Sequence, residues 1–415
     1  MMTRPRRVGC VRSVEEHLQS VLEGVESLAP LDVTLVDARG CVLAEDVTAP
    51  WPLPAFDNAQ VDGYAVKAAD LLAASDGKPV TLRVIDDVPA GYRASLPVRD
   101  GSAIRIMTGA PLPEGAEAVV PMDWTDGGMP EVKVVRSVVR GQHVRRRGDD
   151  VPLGEVVCRQ GTVVGPREIA LLAAVGRGRV SVHPQPRVVI ISIGSELVEP
   201  GAPLAPGLVA DSNGVTIAAA VQEAGAIAYR VGPLRDDAQT LLATLEDQLV
   251  RADLIVTTGG VSAGAYDTVK GVLSRLGTVE FTTVAMTPGM PQGHGTLGPD
   301  STPIFTLPGN PVSAYVSFEV FVRPVIRRML GHDRIYRPVV RAVLVDPLPS
   351  PAGRRQFARG HLAVEDGRYV VRPAGGQGSH MLGSLARANA LVVVPEDVTE
   401  VRPGTAVAVL RLDEE

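Results

Sequence analysis

The sequence predicts a multidomain protein of α/β and β class. It has a central α/β domain with a mostly parallel sheet, an inserted small β domain and a C-terminal β domain. Three observations carry this. Between residues 185 and 332, apolar runs alternate with helical segments, the pattern of parallel strands joined by covering helices. From 54 to 150 the helical period disappears, and short runs such as DGYAV and TLRVIDDVPAG are broken repeatedly by Gly and Pro. Short β-like runs return from Pro338 to the end. A chain of 415 residues is also too long for one core, since about 150 residues is an ordinary domain.

Element by element, Ser13 and Glu16 make a capping box ahead of Val14, Leu18, Val21, Val25 and Leu28, which recur at helical spacing. VTLVDARGCVLAEDVTAP alternates as two short strands around Arg39-Gly40. A helix is expected around Ile169 to Val175. Beyond VHPQP, RVVIISIG, AIAYRVG, DLIVTTGG and PIFTL read as strands. Between and after them, Ser212 to Ala224, Asp237 to Val250, Thr268 to Leu276 and Pro311 to Leu330 read as helices. RAVLVDPLPS, YVVRPA and ALVVVPED supply the last strands. The expected domains are 12–53 with 151–184 (discontinuous), 54–150 inserted, 185–332, and 336–415.

Composition excludes several roles. A net charge of -6 argues against a general nucleic-acid surface, so any anion must be held by a local site. Cys10, Cys41 and Cys158 are odd in number and form no C-x-x-C, which gives neither a disulfide framework nor a zinc site. The basic start MMTRPRRVGC has no apolar region behind it, and no apolar stretch is long enough to span a bilayer. No membrane association and a cytoplasmic location are expected.

Ligands of open parallel sheets bind outside the carboxyl ends of the strands. Here those ends carry Gly194-Ser195-Glu196, Asp236-Asp237, Gly259-Gly260-Val261-Ser262 and Pro308-Gly309-Asn310-Pro311, all on one edge. Glycines let backbone N–H groups approach an anion, and the helix that follows favours negative charge there. Carboxylates beside phosphates call for a counter-ion, and oxygen ligands of this kind suit magnesium. Lys270, one turn into its helix, can add a point charge. Each residue also has an ordinary reading. Asp267, Asp237 and Asn310 could simply cap helices, the last with Pro311 at the first helical position. Glu196 could be a solvated loop charge, and Gly259 and Gly260 could serve only a tight turn. A G-x-G-x-x-G fingerprint is absent, which speaks against a dinucleotide enzyme.

FDNAQVDGYAV, RIMTGAPLPEGAEAVVPMD, GSEL, DSN, TTGGVSAGAYD, LPGNPVSAYVSFEVFV and QFARG with QGSH together resemble the molybdopterin molybdenumtransferases (MoeA, the gephyrin E-domain family). The resemblance runs in family order from about Ser13 to Leu410. It implies an elongated homodimer of four-domain subunits with the active cleft formed between subunits, and it makes 185–332 the molybdopterin-binding domain. The activity it implies is magnesium-dependent insertion of molybdate into adenylylated molybdopterin with release of AMP. Molybdopterin adenylyltransferase and molybdoenzyme-maturation proteins become possible partners.

Carried over by position, Asp267 matches an essential acid, while Gly259, Gly260 and Ser262 match residues lining the pterin phosphate. Glu196 and Asp236, with Asp267, match acids that help hold magnesium or water. Gly194, Ser195 and Lys270 join the substrate site, and Asn310, Pro311 and Ser313 match ligand-contacting positions. Asp62 and Thr108 would close the cleft from the partner subunit, although Asp62 could equally serve an Asp-Gly turn. Arg359 and Ser379 match residues near the oxyanion, although Ser379 could be an ordinary loop hydroxyl. In FTTVAMTPGMPQGHG, many relatives carry lysines where this chain has Thr283, Thr287 and Met290. That depletion opens an alternative, a molybdopterin-binding carrier or scaffold of the same fold with weakened turnover. A related α/β enzyme acting on another nucleotide-linked substrate is a third reading.

Overall fold

The computed structural model describes residues 11–260 and 266–413, leaving aside the side chains of 266–268. The chain forms two units. One comprises the chain up to Leu31, Gly40–Ala44 and everything from Ser181 on; the other comprises Asp32–Arg39 and Glu45–Val180.

The first unit is built on a six-stranded sheet. Its strands are β1 Arg187–Ile193, β2 Ile227–Leu234, β3 Leu254–Thr258, β4 Gly277–Thr283, β5 Pro291–Leu297 and β6 Thr302–Leu307, in the spatial order β2-β1-β3-β6-β5-β4. β2, β1, β3 and β6 run parallel. Successive side chains of a strand point to opposite faces, and here both faces are covered. Val188 and Ile190 enter one core with Ile217, Val221, Phe318 and Phe321. Val189 and Ile191 enter the other with Leu241, Leu245, Val272 and Leu273. That double burial is why RVVIISI is apolar throughout.

The sheet departs from the sequence reading at one edge. β5 adds antiparallel to β6, and β4 antiparallel to β5, making the sheet mixed. GTVEFTT and PQGHGTL are rich in Thr and Gly and lack an apolar run, so neither stands out as a strand in the sequence. The expected single helix 311–330 is also interrupted. It runs as Pro311–Ser317, a π turn at Phe318–Val322, and Arg323–Met329. Pro324 has no N–H for the carbonyl one turn back and its ring crowds that carbonyl, so the helix widens there.

The N-terminal helix Val14–Leu22 has its capping box: the Glu16 N–H donates to Ser13 Oγ at 3.1 Å and the Ser13 N–H to Glu16 Oε2 at 2.8 Å. It ends before Val25 and Leu28, because Gly24 turns the chain at φ 76°. Val14, Val21 and Leu22 pack into the core shared by the sheet and the broken helix. Val42–Leu43 pairs with Val182 and His183 within this unit.

The C-terminal strands are β7 Val339–Leu344, β8 Arg355–Glu365, β9 Arg368–Pro373, β10 Ala390–Val394 and β11 Ala406–Arg411. They follow one another as β8-β9-β7-β11-β10, and β8 also pairs with β10, closing a small barrel around Leu344, Ala358, Val371, Val392 and Val409. A two-residue strand from the α/β region, Met286–Thr287, adds parallel to Arg355 and Gln356 of β8.

The second unit holds a five-stranded sheet. Its order is Ala118–Pro121, Gly63–Val66, Ser102–Ile106, Val80–Val88, Glu131–Val134. Tyr64 and Val66 face one apolar cluster and Ala65 the other, the period-2 alternation expected of short strands. The helix Pro166–Ala174 starts with Glu168 accepting from the Gly165 N–H at 3.0 Å, and Val47–Thr48 pairs with Val156 and Cys158. Among the described residues no helix is long and apolar enough to cross a membrane.

Candidate active site

A pocket of about 740 Å³ opens in the first unit. Because β1, β2, β3 and β6 are parallel, their carboxyl ends share an edge, and the loops leaving them supply one wall. Gly194 and Glu196 follow β1, Asp236 follows β2, Gly259 and Gly260 follow β3, and Gly309 and Asn310 follow β6. Backbone bonds lock these ends together: the Gly194 N–H donates to Leu234 O at 2.9 Å and the Gly259 N–H to Leu307 O at 3.1 Å. Gly259 (φ 86°) and Gly260 (φ 71°) both lie in the left-handed region. An added Cβ would stand 2.2 Å from Ile193 O at the first and 2.4 Å from Val269 Cγ2 at the second. The turn reading of this pair is therefore real, and the same two residues line the pocket.

Beneath this wall lies a buried polar node. Asp211, which caps the helix Ser212–Glu223, is fully buried. It accepts hydrogen bonds from Ser192 Oγ (2.8 Å), the Gly214 N–H (2.9 Å) and Arg230 Nη2 (2.9 Å). Thr258, a lining residue, donates to Ser192 Oγ at 3.3 Å. Asn213 lines the pocket and donates to Gly309 O at 2.7 Å. Asp211 and Asn213 belong to the DSN motif, whose chemistry is legible only through resemblance.

The second wall comes from Met286–Pro291, Arg354 and Gln377–Ser379. Gln292 Nε2 donates to Gly289 O and to Ser317 Oγ, both at 2.6 Å, and so fixes the turn that carries Thr287 and Met290. Asn310 joins the two walls. It occupies the cap position of the helix Pro311–Ser317 but makes no capping bond with its side chain. Instead Nδ2 donates to Ser379 Oγ at 3.0 Å, and the Val312 N–H donates to Ser379 O at 3.1 Å. Asp237, by contrast, does cap its helix, accepting from the Thr240 N–H at 2.7 Å.

The residues singled out from sequence thus sort by place. Gly194, Glu196, Asp236, Gly259, Gly260, Asn310, Ser313 and Ser379 line the pocket. Ser195 stands just behind, its Oγ accepting from the Asp236 N–H at 3.3 Å, and Pro311 opens the helix after Asn310. Lys270 is exposed on the helix Tyr266–Leu276. Ser262 and the side chain of Asp267 lie outside the described residues.

Arg359 is fully buried and is not among the lining residues. Its Nη2 donates to Gly376 O (2.8 Å) and Gly378 O (3.1 Å), while its backbone exchanges bonds with the Gln377 amide. Burial holds the guanidinium below the ordinary arginine range. Asp62 and Thr108 are exposed in the second unit and meet each other. The Thr108 hydroxyl and N–H both donate to Asp62 Oδ1 at 2.7 Å, which keeps that carboxyl below its usual range. Arg354, Asn213, Gln377 and Thr258 are lining residues that sequence reasoning did not name.

Three family models match in chain order. They are the MoeA N-terminal region (domain I and II) over residues 12–176, the probable molybdopterin binding domain over 189–328, and the MoeA C-terminal region (domain IV) over 341–412. The chain belongs to the MoeA family. That places it among the transferases of molybdenum cofactor biosynthesis. Molybdopterin molybdenumtransferase 2 of Mycobacterium tuberculosis is 47% identical over 405 residues, covering 96% of this chain and 99% of the relative. Molybdopterin molybdenumtransferase 1 of the same organism is 43% identical, covering 96% and 98%. Among solved structures, a molybdopterin biosynthesis MoeA protein from Pyrococcus horikosii superposes with a TM-score of 0.81 at 32% identity, covering 98% of this chain and all of that one. MoeA membership accounts for the antiparallel edge and the closed C-terminal barrel as parts of one fold.

Proposed function

We propose that this MoeA protein binds adenylylated molybdopterin in the 740 Å³ pocket, accepts molybdate there and releases AMP. One observation carries the reading: a single pocket joins the glycine-rich strand ends, two carboxylates and the polar Gln377–Ser379 loop. Backbone N–H groups of the Gly259-Gly260 and Gly309-Asn310 turns favour phosphate oxygens. Ser313 and Asn310 add neutral donors, and Lys270 and Ser262 belong to the phosphate end. Ser379 belongs to the oxyanion end, and Arg359 supports it from behind through the carbonyls of Gly376 and Gly378.

Glu196 and Asp236 line the pocket as oxygen donors, and among the described residues no three His, Cys, Asp or Glu converge into a metal cage. Such a sparse set fits magnesium, which keeps waters and is bound through one or two carboxylates together with substrate phosphates. Glu196, Asp236 and Asp267 would hold it, and its charge would stabilise the phosphates during cleavage of the adenylyl linkage. The carboxylates would orient water at the adenylyl linkage, and the glycine turns would hold the phosphates.

The proposal keeps the four-domain division given above, a cytoplasmic homodimer, and Asp62 with Thr108 as the pair a second copy contributes. A carrier without turnover is the competing reading, favoured by the uncharged Thr287 and Met290 on the second wall. Purified protein incubated with adenylylated molybdopterin, magnesium and molybdate separates the two. The enzyme releases AMP, and Asp267→Asn abolishes that release while leaving pterin binding. Binding without AMP in the unmodified protein would establish the carrier.

A further inference from the structure

The pocket is electrically polarised. Its strand-end wall carries Glu196 and Asp236, while Arg354 is the sole Lys, Arg or His among its described lining residues. Three arginines crowd this part of the chain, and the structure gives them different work. Arg355 pairs with Glu15 and, at 3.1 Å, with Glu396. Arg359 is sealed inside the protein: Nη2 is committed to the carbonyls of Gly376 and Gly378, and Nε and Nη1 have no partner among the described residues. A ligand in the pocket could touch it only if that loop left. Arg354 is exposed, lines the pocket, and makes no hydrogen bond or ion pair with another described residue.

Its position is fixed by the neighbouring strand pairing. Met286 and Thr287 lie in register with Arg355 and Gln356, and the Arg355 N–H donates to Ala285 O at 2.9 Å. Arg354 therefore stands one residue before β8, the strand against which Met286 and Thr287 lie, on the wall of the pocket without carboxylates.

Resting on the reading of this pocket as the molybdenum-insertion site, we infer that Arg354 is the specificity-determining cation that meets the oxyanion substrate. Arg359 is a positioning residue that holds the Gln377–Ser379 loop in place. A guanidinium offers a planar fork of donors suited to a tetrahedral dianion. Thr287 and Ser379 add neutral donors around it, while Glu196 and Asp236 keep a free oxyanion away from the phosphate end.

The test measures AMP release against molybdate concentration at saturating adenylylated molybdopterin, with equilibrium dialysis of molybdate and of tungstate against the full-length protein. Arg354→Ala should raise the half-saturating molybdate concentration about tenfold and weaken dialysis binding equally. Its limiting rate, its affinity for adenylylated molybdopterin and its melting temperature should stay near those of the unmodified protein. Arg354→Lys should recover part of the loss, and Arg359→Ala should lower the melting temperature as well as activity. An unchanged molybdate dependence in Arg354→Ala overturns the inference, as does a loss confined to pterin binding. Dialysis keeps the two levels apart. Oxyanion binding that needs Arg354, without AMP release, keeps this residue's role and removes the turnover. An unmodified protein that binds neither oxyanion and releases no AMP removes both.

Discussion

The two walls of the pocket are made by different means. The strand-end wall is backbone: glycines in the left-handed region, carbonyls packed against them, and a buried Asp211 node beneath. The other wall is side chains and borrowed pairings, with Gln292 tethering Gly289 and a two-residue strand lying against β8. The first wall should be rigid and intolerant of substitution. The second should accept changes that alter specificity while leaving the fold in place.

Breaking the first wall should cost most. Gly259→Ala must place a Cβ 2.2 Å from Ile193 O at φ 86°, and chemical denaturation should show a loss of about 4 kcal/mol. Asp211→Ala strands Ser192 and half of Arg230's partners, for about 3 kcal/mol by the same measurement. A loss under about 1 kcal/mol in either would mean that this wall is no stiffer than its neighbour.

Acid should act through the elements behind the second wall. His17 packs edge-on against His294 of β5 and Phe321 of the π turn, and burial, helped by His294 and Arg12, holds its pKa near 3 instead of 6.5. The unfolded chain takes up this proton below pH 6.5, whereas the folded one does so only near pH 3. Stability contributed by neutral His17 is therefore present above pH 6.5 and falls as pH drops toward 3, by about 1 kcal/mol per pH unit. His17→Phe should flatten that slope in denaturation curves taken across the range.

Smaller effects should refine the contrast. A double-mutant cycle of Asn310→Ala and Ser379→Ala should give a coupling of about 1 kcal/mol, the bond joining the walls. Thr287→Lys with Met290→Lys should lower the molybdate requirement for AMP release at nearly constant stability. Thr283→Lys should change neither, since Thr283 is exposed and does not line the pocket.

The same contrast explains what the sequence disclosed. The strand-end wall was legible because β1, β3 and β6 are buried on both faces and therefore read as apolar runs ending in Gly or Pro. The antiparallel β4 and β5 are not, because Thr- and Gly-rich strands resemble loops when read singly. Asn310 occupies the cap position that its place before Pro311 predicts, yet its side chain serves Ser379, a partner 69 residues away. Arg354 was invisible for a similar reason. GRRQFARG offers three equivalent guanidiniums, and only the register with Met286 and Thr287 tells which faces the pocket. Pro324 was in plain view, but a π turn needs the whole helix to be seen.

Phe357 and Leu391 of the C-terminal barrel sit in the same apolar core as Phe305 and Leu307 of the central sheet. Met286 and Thr287 complete an edge of that barrel from the other side. The two parts are consequently not interchangeable modules. A chain ending before Val339 would lose the partner of its Met286–Thr287 strand and bare a patch of its main core, so it should be recovered as aggregate. Descent with recombination would have to move the barrel together with the segment around Met286, which ties the inheritance of the two as a single unit.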